Sequence, residues 1–73
     1  MKVFKEGDII PKYFGNVIIK KISKNREFII WYFESIGIKH KAKLIFNALY
    51  CKEKFQIDSY DSVSATSESE VEK

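Results

Sequence analysis

Seventy-three residues with a net charge of +3 make one domain at most. A chain of that size buries only about 60% of its unfolded surface, which excludes a deep substrate pocket set in a large core. Its single cysteine, Cys51, excludes an internal disulfide, and no apolar stretch is long enough for a signal peptide or a membrane helix, so the sequence predicts a cytoplasmic protein.

Charge is divided by position. Through Gln56 there are twelve Lys and Arg against five acids, a net of +7; from Ile57 onward five acids face Lys73, a net of −4. A basic body with an acidic tail points to an anionic partner, and nucleic acid is the commonest one. The competing reading is a solvated lysine-rich surface of the kind an AT-rich genome encodes.

In chain order, Gly7-Asp8 is turn chemistry and Ile9-Ile10 begins a strand, which Pro11 confines to a short or edge position because it has no N–H for a ladder. Tyr13-Phe14-Gly15-Asn16 reads as a second turn, with Gly15-Asn16 suited to positive φ. Residues 17–22 form the next strand, and Ser23-Lys24-Asn25-Arg26 is a polar break. The hub follows at residues 27–33, the longest apolar run and the site of the only Trp, rich in aromatic and β-branched side chains that suit a central strand. Lys20, Lys21, Lys24 and Arg26 crowd the hairpin turn between these two strands and predict a strongly positive tip.

Residues 36–44 alternate. Ile36, Ile38, His40, Ala42 and Leu44 share one phase, and Lys39, Lys41 and Lys43 share the other, which places three lysines in a row on one strand face. A helix over residues 40–54 also fits, with Ala42, Ile45, Phe46, Leu49 and Tyr50 on one stripe. The reading adopted is strand to Leu44, a short helix near 45–50 and a last strand near residues 55–57. From Ser59 the chain turns Ser- and Glu-rich and predicts a disordered tail over 59–73, leaving residues 1–58 as the domain.

The fold class expected is therefore mostly β, a small bent sheet or barrel of four to five strands, with an α+β arrangement as the alternative. The order Gly7-Asp8-Ile9-Ile10, Phe14-Gly15-Asn16-Val17-Ile18-Ile19, Lys24-Asn25, Phe33-Glu34-Ser35, Ile36-Gly37-Ile38 and Lys54-Phe55-Gln56-Ile57-Asp58 resembles a short domain of tailed-phage proteins, sometimes found beside homing-endonuclease modules. The opening Gly7-Asp8-Ile9-Ile10 is also similar to the first strand of SH3-like barrels, including ribosomal and transcription-factor types. The resemblance spans residues 6–58 and implies a bent sheet with a binding role toward nucleic acid or its machinery, in the host cytoplasm if the protein is viral.

No catalytic constellation accompanies it. One His40 and one Cys51 provide neither a metal-ligand set nor an activated nucleophile, and the three glycines are isolated, so no enzyme, metal or cofactor is expected. His40 reads as a partly buried strand residue and Cys51 as a packing or surface thiol. The expected function is a non-enzymatic module that binds DNA or RNA through Lys20, Lys21, Lys24, Arg26, Lys39, Lys41 and Lys43, with Tyr13, Trp31 or Tyr32 available to stack on bases. Trp31 has a second reading as a core residue. A single Arg leaves bidentate base reading poorly supplied, so specificity should be low. The alternative is a phage-encoded protein that covers a site on a host enzyme, as a monomer or weak homodimer, through an exposed edge or an aromatic patch.

Overall fold

The computed structural model describes residues 2–58 and 61–65. The chain forms six strands: β1 (Ile9–Lys12), β2 (Gly15–Ile22), β3 (Phe28–Phe33), β4 (Lys39–Asn47), β5 (Lys52–Phe55) and β6 (Val63–Ser64). Each pairs antiparallel with the next, giving one sheet in the order β1-β2-β3-β4-β5-β6. The sheet curls into a nearly closed, SH3-like barrel. The amino-terminal arm runs beside β5 and buries Phe4 in the core. Lys2 bridges Lys52 in parallel, and a groove lined by Val3, Phe4, Ile9, Pro11, Ser64 and Ala65 separates β1 from β6.

The inward phase makes the core. Val17, Ile19 and Ile22 of β2, Ile29 and Trp31 of β3, Leu44 of β4 and Phe55 of β5 pack with Phe4, Ile57, Val63 and Ala65. Ile19 and Ile22 are three positions apart, an interval that regular alternation cannot place on one face. A bulge resolves it: Ile19 pairs with Trp31 and Lys21 with Ile30, so Lys20 is the extra residue and Ile22 returns to the core. The Glu6 carboxylate accepts the Ile22 N–H at 3.1 Å, so the loop before β1 completes the hydrogen bonding there.

Three expectations about the chain are corrected. No helix forms among the described residues: β4 runs on through Asn47, and the stretch expected to be helical near 45–50 is strand followed by a turn at residues 48–51. The α+β alternative falls with it. Pairing decides the matter, because residues 44–47 provide the partners of β5, and a helix there would leave Lys52, Glu53, Lys54 and Phe55 without a ladder on that side. Secondly, the barrel has six strands, because part of the expected tail joins it. Val63 is fully buried and pairs with Phe55, so the domain extends to Ala65. The rest of the expected tail, residues 59–60 and 66–73, lies outside the described residues. Thirdly, of the turn pair Gly15-Asn16 only Gly15 takes positive φ, at 124°, while the Asn16 side chain donates to Glu34 at 2.9 Å.

Candidate nucleic-acid interface

Antiparallel register between β3 and β4 builds the outer face. Phe28 opposes Lys43, Ile30 opposes Lys41 and Tyr32 opposes Lys39, and opposed residues project from the same side of a sheet. Because Ile29 and Trp31 point into the core, Phe28, Ile30 and Tyr32 must point out. Two parallel rows result, one aromatic and aliphatic, one of lysines spaced about 7 Å apart along the strand. The Lys41 ammonium lies over the Phe28 ring, 4.5 Å from its centroid.

β2 extends this face on the other side. Ile18 opposes Tyr32, and at the bulge both Lys20 and Lys21 are exposed while their neighbours Ile19 and Ile22 are buried. Lys21, Ser23, Phe28, Ile30 and Lys41 line a shallow groove of about 170 Å³. An apolar strip is thus bordered by Lys39, Lys41 and Lys43 along one side and by Lys20 and Lys21 along the other. None of β2, β3 or β4 contains an acidic residue, so no carboxylate within these strands competes for the ammonium groups.

The remaining expected site residues are placed elsewhere. Lys24 is exposed at the β2–β3 turn, whose backbone is held by the Ser23 hydroxyl accepting from the Glu27 and Phe28 N–H groups, each at 3.0 Å. Arg26, expected to face phosphate, is turned toward the barrel end instead. Its Nε donates to Glu53 Oε1 at 2.9 Å, and its Nη2 to Glu53 Oε2 at 2.7 Å and to the Phe4 carbonyl at 2.8 Å. Glu53 is the one buried charged residue among those described, and it also accepts the Phe4 N–H at 2.9 Å. Burial alone would push the Glu53 carboxyl up, but the Arg26 hydrogen bond, the Phe4 N–H and the nearby positive charge outweigh it and hold the pKa below its ordinary value. Arg26 responds in kind: its pKa is raised by the hydrogen bond to Glu53.

Trp31 is a core residue, 3% exposed, and is not available to stack on a base from the outer face. Packing explains this, since its ring meets Phe33 edge-on at 5.0 Å and lies against His40 at 4.6 Å. His40, expected to be partly buried, is exposed, with one imidazole face resting on that indole. Tyr13 is 82% exposed at the β1–β2 turn, edge-on to Phe14 at 4.8 Å, and lies outside the strands that carry the lysine rows. Of the aromatics singled out in the sequence, Tyr32 alone lies on the basic face. Phe28 and Ile30 were missed there, although the alternation of the hub strand with Ile29 and Trp31 carries the signal.

No protein-family model, no curated protein and no solved structure matches this chain, so the chemistry of the face alone carries the functional reading. No helix of the described residues is long and apolar enough to cross a membrane.

Proposed function

We propose that this protein is a non-enzymatic module that binds single-stranded nucleic acid, with little sequence specificity, across the outer face of β2, β3 and β4. The observation that carries the reading is the register that sets Phe28, Ile30 and Tyr32 beside Lys43, Lys41 and Lys39. Ammonium groups neutralise phosphates, while exposed rings and aliphatic side chains receive unstacked bases; a duplex offers no such bases. The face lacks the guanidinium that would read a base edge bidentately, because the one Arg of the chain is held by Glu53. Five lysine contacts to a single strand predict a log–log salt slope of about −3.5, which is a loss of roughly 100-fold between 50 and 200 mM salt. Anisotropy titrations of labelled single-stranded and duplex oligonucleotides across that range test it; a flat salt response sinks the reading.

A second reading, capture of a partner protein, is favoured by one observation. Tyr13, Ile36 and Ile38 stand exposed in two turns that the Asn16–Glu34 hydrogen bond ties together at one end of the barrel. Under the phage resemblance that partner is a host enzyme of nucleic-acid metabolism or transcription. An aromatic-centred contact of this kind is insensitive to salt, which separates the two readings.

A further inference from the structure

Strand β4 pairs with β5 only over residues 44–47, so residues 39–43 hydrogen-bond to β3 alone. After Phe55 the chain leaves the ladder, and residues 56–58 do not continue it. A cleft of about 450 Å³ opens between the two segments, lined by Trp31, Phe33, His40, Ala42, Gln56 and Asp58. That volume lies within the range of about 300–1,000 Å³ typical of small-molecule sites. Lys41 lines both this cleft and the outer groove that holds Phe28 and Ile30, so the two lie on either side of β4 within reach of one bound strand.

The cleft has a definite chemistry. Its aromatic part is the Trp31 indole with His40 stacked on it, 4.6 Å between centroids and 23° between planes. The Trp31 Nε1–H is buried and donates to no acceptor among the described residues. Buried donors without a partner are rare in folded proteins, and an indole N–H can only donate, so Trp31 brings to the wall of the cleft the one buried side-chain polar atom that is unanswered among the described residues. Asp58 offers the complement, a carboxylate that accepts, and Gln56 offers an amide that does both.

We propose that the cleft receives one base of the bound strand, in preference a base that carries both a carbonyl acceptor and an amino donor. This rests on the strand-binding reading above and adds a point of base selection to it. Guanine and cytosine have that pairing of groups; uracil and thymine lack the amino donor that a carboxylate needs. The exposed imidazole of His40, already lying parallel to Trp31, gives the base a ring to stack on. A phenylalanine side chain of a peptide would fill the volume but would leave both the indole N–H and the carboxylate unanswered.

Trp31 is the sole tryptophan, so its emission reports the cleft directly. The full chain is titrated with GMP, CMP and UMP while that emission is followed, in the unaltered protein and in His40→Ala and Asp58→Asn variants. Both positions are exposed, and circular dichroism verifies folding. The expected result is a saturable change with GMP or CMP, at least about fivefold weaker with UMP, and a loss of that preference in Asp58→Asn. His40→Ala weakens all three. An absent response, or an equal response to all three nucleotides, overturns the proposal. If oligonucleotide binding to the lysine face persists in that case, the cleft has failed and the face has not. A nucleotide response without any oligonucleotide binding fails the face instead.

Discussion

Arg26 and Glu53, 27 residues apart in the chain, are joined by two parallel hydrogen bonds of 2.9 and 2.7 Å that close the barrel end over Phe4. The pair fixes the amino-terminal arm from both directions, since Glu53 accepts the Phe4 N–H and Arg26 donates to the Phe4 carbonyl. Arg26 holds a left-handed φ of 57° to do so, a conformation unusual for a residue with a Cβ. Replacing Arg26 by Ala leaves a buried carboxylate with one donor. A loss of about 2–3 kcal/mol is expected, below the range for a fully buried pair because the guanidinium is part-exposed. Urea denaturation measures it, and Arg26→Lys should fall between the two because the ammonium lacks the fork.

The same pair gives the stability a pH dependence of known sign. Glu53 titrates lower in the folded chain than in the unfolded one, so its contribution is complete above the unfolded carboxylate value of about 4.3. It is lost as pH falls through the lower folded value. Denaturation midpoints between pH 7 and pH 2 should therefore drop more steeply in the unaltered protein than in Glu53→Gln. Parallel curves would show that Glu53 contributes nothing through its charge.

Val63 tests where the domain ends. It is fully buried against the barrel, so Val63→Ala should lower stability by about 1–2 kcal/mol, and truncation after Asp58 by more, because that also removes Ala65 from the core. A truncated chain as stable as the full one would return the boundary to residue 58.

How much of this was legible in the sequence differs by element. β1, β2 and β3 were readable because turn residues bound runs of β-branched and aromatic side chains there: Pro11 marks an edge, Gly15 a reversal, and the hub is an uninterrupted apolar run. The continuation of β4 was not, because Ala42, Ile45, Phe46, Leu49 and Tyr50 satisfy helical spacing as well as strand spacing, and only pairing with β5 decides between them. β6 was hidden by composition, since Val63 and Ala65 sit among serines; their period of two was the available sign. Lys39, Lys41 and Lys43 share one phase of β4 in the sequence and are exposed, while Leu44 of the other phase is buried. The engagement of Arg26 had no local signature at all, because its partner lies in another strand.

Phe28 separates stacking from charge on the proposed face. It is 39% exposed, so Phe28→Ala should change stability little compared with a core truncation, while weakening single-strand binding by about 1–3 kcal/mol per base stacked. The salt slope should stay where it was, since no phosphate contact is removed. Anisotropy at several salt concentrations reads both quantities.

The most direct test of the lysine face is the combined change of Lys39, Lys41 and Lys43 to Glu, with a labelled single-stranded oligonucleotide titrated at low and moderate salt. All three side chains are exposed, so circular dichroism and the denaturation midpoint should show a folded barrel. The unaltered protein should bind in the micromolar range at low salt, and the triple variant should lose about 100-fold or more, with its salt slope flattened by the missing contacts. Binding undiminished in the folded triple variant would contradict the assignment of this face.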